Sequence, residues 1–207
     1  MREINKTVLD MTPAKIGTLC VPAINAIESI NSPIKNINMI TCGGQASIPI
    51  AHAIAAASES IEYIEVASSI SSASAGPATR ANLDEYILTT ENALSKFTSA
   101  AKVKAILILN PAQPPIDMQT TVYAKVNNPD LARIIKSVDE MADKMRNYVP
   151  GYELILRPTL YGNKVVTTVR VVGNGDYLPK YAGNLDIINC AAVQIAEQVA
   201  VKEIVKI

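Results

Sequence analysis

One switch of hydrophobic period constrains this chain more than any other feature. Ile37-Asn38-Met39-Ile40 is a short apolar run with strand character. Beyond Cys42-Gly43-Gly44, the residues Ile48, Ile50, Ala51, Ile54 and Ala55 recur at helical spacing, to about Ser58. Cys42 therefore falls where a strand becomes a helix. The first N–H groups of a helix lack intrahelical partners and carry partial positive charge. Both favour a thiolate, the nucleophilic form of cysteine, and the same groups suit an oxyanion. The two glycines permit close approach of backbone and substrate. The alternative is a small buried cysteine in a tight turn, since most free cysteines are packing residues.

The rest of the composition narrows the function classes. The chain has 207 residues, 49% of them hydrophobic and only 4% aromatic, so its core is built from Ile, Val, Leu and Ala. That length suits one large domain, or one domain with appendages. Lys+Arg and Asp+Glu number 19 each, which gives neither a basic surplus for nucleic acid nor an acidic tail. Cys20, Cys42 and Cys190 have no metal-ligand spacing and fit a reducing cytoplasm better than a disulfide scaffold. A single histidine, His52, argues against zinc, and no metal is expected. No apolar run approaches the ~20 residues of a membrane span, and residues 1–6 lack the apolar stretch of a signal peptide.

Strands are expected at 7–11, 61–72, 104–110 and 118–126, with 105–109 buried. A hairpin joins 153–160 to 164–172 across Gly162-Asn163. Residues 20–25 read as an extended segment interrupted by Pro22. Residues 74–82 read as a loop of small residues, with Asn82 as the cap of a helix over 83–98. Asn128 and Pro129 are expected to open a helix over 129–147, as cap and first helical residue. A last helix starts near Asn184. The order is not strictly alternating, which predicts an α+β fold: a mixed, mainly antiparallel sheet with the helices 46–58, 83–98 and 129–147 on one face. The Val and Ile of strand 165–172 suggest that the other face is a dimer interface.

Four segments, in register, resemble a known family. They are Leu9-Asp10-Met11-Thr12-Pro13-Ala14 with Cys20-Val21-Pro22, then Thr41-Cys42-Gly43-Gly44-Gln45-Ala46-Ser47-Ile48-Pro49, then Ser74-Ala75-Gly76-Pro77-Ala78-Thr79-Arg80-Ala81-Asn82, and Tyr177-Leu178-Pro179-Lys180-Tyr181-Ala182-Gly183-Asn184-Leu185-Asp186. Together they resemble the acylating acetaldehyde dehydrogenases of aromatic meta-cleavage pathways, from about Lys6 to the C-terminus. The resemblance implies conversion of acetaldehyde, coenzyme A and NAD to acetyl-CoA and NADH in the cytoplasm. It also implies a fold like the C-terminal domain of glyceraldehyde-3-phosphate dehydrogenase, a homodimer, and a 4-hydroxy-2-oxovalerate aldolase as partner. Carried over residue by residue, Cys42 matches the acyl-thioester cysteine. Ser74, Ala75, Gly76, Pro77, Ala78, Thr79, Arg80, Ala81 and Asn82 match a loop that helps to hold NAD; Asn184 matches a second NAD contact, and Asn82 also steers the aldehyde oxygen.

Two departures from the family pattern follow. No G-x-G-x-x-G phosphate loop occurs, and the chain enters at what resembles the last strand of a Rossmann domain. Residues 1–36 are thus expected to be a remnant of that domain and a linker, 37–178 the catalytic and dimerisation domain, and 179–207 a helix returning to the nucleotide domain. The chain alone is then expected to be inactive. Second, Thr120 stands where many members carry an aspartate proposed to activate the thiol.

Other residues are weighed against plainer roles. His52 lies ten residues beyond Cys42 on one helix, ~15 Å away, too far to act as its base. Cys20 and Cys190 read as packing residues, Gly173-Asn174-Gly175 as a turn, and Arg80 as a partner either of a cofactor phosphate or of Asp84. The competing function is a non-catalytic dimerisation or aldolase-binding module derived from the same enzyme.

Overall fold

The computed structural model describes residues 6–14 and 16–205; residues 1–5, where a leader was sought, lie outside them. Two sheets organise the chain. The smaller is parallel, in the order β1–β3–β2, from β1 (Val8–Asp10), β2 (Thr18–Leu19) and β3 (Asn36–Asn38). Between β2 and β3 runs α1 (Pro22–Asn31), where the sequence suggested an extended segment. Pro22 occupies the first helical turn, the place where its missing N–H costs nothing. The proline signal was thus a helix start and not a strand break.

The larger sheet has the order β5–β4–β6–β8–β7. Its strands are β4 (Ile61–Ser71), β5 (Lys102–Asn110), β6 (Met118–Val126), β7 (Tyr152–Tyr161) and β8 (Lys164–Val171). Only β4 and β5 pair in parallel; the other three pairings are antiparallel. This is the mixed, mainly antiparallel α+β sheet expected from the sequence. Gly162, at φ +59, makes the β7–β8 turn.

Three helices pack on one face: α2 (Cys42–Ala56), α4 (Leu83–Thr98) and α5 (Leu131–Arg146). Their buried Ile48, Ile54, Leu94, Ile134 and Val138 join Ile64, Val66, Val122, Val165 and Val169 of the sheet in one core. Strand β8 alternates poorly, as its sequence suggested: Val165, Val166 and Thr167 are buried in succession, and alternation appears only beyond them, with Val169 and Val171 buried and Thr168 and Arg170 half-exposed. The face away from the helices carries Tyr63, Glu65, Gln119, Thr121 and Lys125 beside Ile106, Ile108 and Val166, so polar and apolar side chains are mixed on it.

Three local expectations are corrected. Strand β5 is an edge strand, with Ile108 46% exposed and only Ala105 buried. Helix α5 is capped by Asp130, whose carboxylate accepts from Arg133 N–H at 3.0 Å; Asn128 precedes it at φ 48. The segment 74–82, expected as a loop, follows on from a 3-10 turn (Ser72–Ser74) and contains a short helix, α3 (Pro77–Ala81).

The last helix, α6 (Gly183–Val205), buries Ile188, Ala191, Ala192 and Ile195 against Cys20, Ala26, Ile37 and Met39. It thereby fastens the small sheet and α1 to the rest of the chain. Gln45, wholly buried in α2, donates from its amide nitrogen to the carbonyls of Cys20 and Met39, both at 2.8 Å, and stitches the same junction. Among the described residues, no helix is long and apolar enough to cross a membrane.

Candidate active site

Cys42 is the first residue of α2. Thr41 is the cap: its hydroxyl accepts from Gly44 N–H at 2.9 Å, and its carbonyl accepts from Gln45 N–H at 2.8 Å. The residue before the cap is Ile40, held at φ 66. A β-branched residue there is a true outlier, costing roughly 1–3 kcal/mol. Two contacts hold it. Asn38 accepts the Ile40 N–H at 2.8 Å, and the Ile40 side chain is fully buried.

Asn38 does more than brace Ile40. Its amide nitrogen reaches Asp10 Oδ2 at 3.2 Å and the carbonyls of Thr12 and Ala14 at 3.1 and 2.7 Å. From the other side, Thr89 of α4 donates to the Pro13 carbonyl. The segment after β1 is thereby strapped across the start of α2.

Behind the strap lies a cavity of about 270 Å³. Cys42, Met11, Pro13, Ile40, Leu185 and Ile188 supply much of its wall, and Glu85 is the charged side chain on it. Of the residues expected from the sequence, Cys42, Ala78, Thr79, Asn82 and Asn184 converge there. Ser74, Ala75, Gly76, Pro77, Arg80 and Ala81 do not line it. Ser74 contributes indirectly: its carbonyl accepts from the Asn184 amide at 3.3 Å. That leaves the Asn184 carbonyl oxygen buried with no partner. Arg80 pairs neither with Asp84 nor outward; it donates to the carbonyls of Ala75 and Ser72 at 3.1 and 2.9 Å and ties the loop. Asn82 sits at the cap position of α4 without capping it, and donates instead to Ala78 O at 2.8 Å.

Tyr86 is the site residue that sequence reasoning missed. It stands on the amphipathic stripe of α4, where a tyrosine reads as core. Its hydroxyl accepts from Gly43 N–H at 2.9 Å and lies 3.8 Å from Cys42 Sγ. Its backbone is fixed too: Thr90 donates to the Tyr86 carbonyl at 2.8 Å, and the Thr41 and Thr90 hydroxyls meet at 2.8 Å.

Two expectations about Cys42 change as a result. The Gly43 N–H proposed for an oxyanion is occupied by Tyr86. And the thiol is not shifted towards thiolate: burial pushes its pKa up, against the opposing pull of the Tyr86 hydroxyl and the Gly43 N–H. The helix terminus acts, but desolvation outweighs it. Thr120 is buried behind the site and bonds Ser68 at 3.0 Å; Ser68 in turn lies beneath Gly43. His52 bonds the Phe97 carbonyl at 2.7 Å near the far end of α2, away from the sulfur as expected. Cys20 is fully buried, and Cys190 lies 3.8 Å from Asp186 Oδ2 on α6.

Cys42 thus stands at a helix start, backed by a mixed sheet and facing a cavity. The fold is that of the semialdehyde dehydrogenases. Aspartate semialdehyde dehydrogenase II of Vibrio cholerae, solved in complex with ASA, superposes with a TM-score of 0.65 at 16% identity, over 97% of this chain and 72% of that one. In sequence, residues 42–179 match the family model described as "Prokaryotic acetaldehyde dehydrogenase, dimerisation". The acetaldehyde dehydrogenase of Pectobacterium atrosepticum is 65% identical over 97% of this chain and 68% of its own length. That of Spirochaeta aurantia is 56% identical over 97% and 67%. The chain belongs to the acetaldehyde dehydrogenase family, and spans about two thirds of the length of these relatives.

Proposed function

We propose that this chain carries the acyl-forming site of a CoA-acylating acetaldehyde dehydrogenase, with Cys42 as nucleophile. The supporting observation is the convergence of Cys42, Asn82 and Asn184 on one largely apolar cavity. The unpartnered Asn184 carbonyl oxygen matches the N–H of a nicotinamide carboxamide, so the residues present fit NAD. Bound there, NAD would supply a hydride acceptor. Cys42 Sγ attacks the aldehyde carbonyl, forming an S–C bond. The second hydrogen of the Asn82 amide is available to the resulting oxygen. Met11, Pro13, Ile40 and Ile188 exclude water from the acyl-enzyme. Loss of hydride to NAD would leave the acyl group as a thioester on Cys42; the coenzyme A thiol, as substrate, then takes the acyl group, breaking the Cys42 S–C bond and returning the free thiol, which splits one hard step into two.

The same reading makes β1, β2 and α1 the remnant of a nucleotide-binding domain and α6 a helix returning to it, and the enzyme a cytoplasmic homodimer of aromatic catabolism that partners a 4-hydroxy-2-oxovalerate aldolase. The family model's dimerisation heading supports the homodimer. The site is tested by isotope exchange. Labelled free coenzyme A should enter acetyl-CoA in the presence of the protein, and Cys42→Ser should abolish the exchange. Exchange that survives this substitution would remove Cys42 from the mechanism.

A further inference from the structure

Among the described residues, no charged side chain hydrogen-bonds the Cys42 sulfur. On α4, Glu85 lies on the cavity wall, with Asp84 and Glu91 on the same helix. Asp10, at the end of β1, is engaged by Thr12 and Asn38. On α6, Asp186 faces Cys190. On α2, His52 is bonded to Phe97. From β4 and β6 come only the hydroxyls of Ser68 and Thr120.

Resting on Cys42 as nucleophile, we propose that Tyr86 is a further functional residue of this site, a fixed hydrogen-bond donor that stabilises the Cys42 thiolate when it forms and offsets part of the cost of burying its charge. The Gly43 N–H can only donate, and at 2.9 Å it donates to the Tyr86 oxygen. The hydroxyl's hydrogen remains free to reach Sγ, 3.8 Å away, and once the thiol has ionised the sulfur can only accept. Gly43 N–H, Tyr86 O–H and Sγ form a relay that carries the positive end of α2 to the sulfur. The first turn of α2 is locked to α4 through Thr41, Thr90 and the Tyr86 carbonyl, so the hydroxyl cannot drift away. Gly43 is required as well: a Cβ there would fall 2.0 Å from the Tyr86 oxygen. Tyr86 is no base, because burial holds its phenol well above the usual tyrosine value. It stabilises the charged sulfur and takes no proton from it.

The test is the pH profile of iodoacetamide alkylation, read by peptide mass spectrometry on Cys42, with protection of the fully buried Cys20 as the sign of an intact fold. Losing the donor raises the thiol pKa. Below that pKa the Tyr86→Phe variant should label about tenfold more slowly, equivalent to about 1.4 kcal/mol. At a pH above both values the rates should converge. An unchanged or accelerated profile in folded Tyr86→Phe would overturn the inference. If Cys42 is not the first cysteine labelled in the unaltered protein, the nucleophile assignment itself fails, a distinct result. Should the variant expose Cys20, the unaltered sequence grown with 3-fluorotyrosine replaces it. Its more acidic phenol is the stronger donor and should speed labelling at neutral pH; no acceleration would count against the donor role.

Discussion

Gly43→Ala probes the packing on which the site depends. An ideal Cβ at Gly43 meets the Tyr86 oxygen at 2.0 Å, the Ser68 oxygen at 2.7 Å and Tyr86 Cζ at 3.2 Å. Neither neighbour can swing aside, for Tyr86 is 6% and Ser68 2% exposed, and Ser68 is tied to Thr120. Overpacking of this kind costs about 1–3 kcal/mol. Losing the Gly43 N–H bond to Tyr86 adds roughly 0.5–1.5 kcal/mol. The helical preference of alanine offsets about 1 kcal/mol. The net loss is then about 0.5–3.5 kcal/mol, which at a urea slope of about 2–3 kcal/mol/M lowers the unfolding midpoint by roughly 0.2–1.7 M. Gly76→Ala is the control: nothing lies within 4 Å of its added Cβ, and its φ of −71 suits any residue. It should change stability by less than about 0.5 kcal/mol. Equal urea midpoints for the two variants would refute the close-packed contact between Gly43 and Tyr86.

Asn38→Ala should cost about 2–3 kcal/mol, because it strips the buried Ile40 N–H of its acceptor and frees the strap; a smaller loss in urea unfolding than for Asn127→Ala, at the surface, would contradict this. Tyr152→Phe should cost about 1 kcal/mol, since its buried hydroxyl donates to the Ala46 carbonyl at 2.7 Å. Burial raises the Cys20 thiol from 9.0 to about 11, so the folded state holds that proton more tightly than the unfolded chain. The stability this brings is complete below about pH 9 and is lost as pH rises towards 11, by about 2–3 kcal/mol; thermal unfolding of Cys20→Ala should show a flatter decline over that range. Asn184→Ala should raise the KM for NAD in the assembled enzyme at least tenfold with a smaller effect on kcat; an unchanged KM would remove Asn184 from the cofactor site.

The long periodic segments were legible in the sequence. The helix after Cys42, the helix over 83–98 and the hairpin across Gly162 all stand where hydrophobic period and turn chemistry put them. The short pieces were not. Pro22 reads alike as a strand breaker and as the first residue of a helix, and only the packing of α1 on α6 separates the two. Asp130 and Asn128 are both good caps, and the positive φ of Asn128 decides between them. For the site, Cys42 announced itself through its glycines, but Tyr86 did not. The contact between residues 43 positions apart is set by how α4 crosses the start of α2, and no local pattern encodes that. The thiol's electrostatics were likewise invisible, because the helix-terminus argument gives a direction and burial, a tertiary quantity, reverses it.

The central claim is that Cys42 carries the acyl group. Incubation with acetyl-CoA, an acid quench and peptide mass spectrometry tests this without requiring NAD or an intact nucleotide site. The account predicts an acetyl increment on the peptide containing Cys42, removed by hydroxylamine and absent in Cys42→Ser. An increment found only on Cys190, or on no cysteine while acetyl-CoA is consumed, would contradict it.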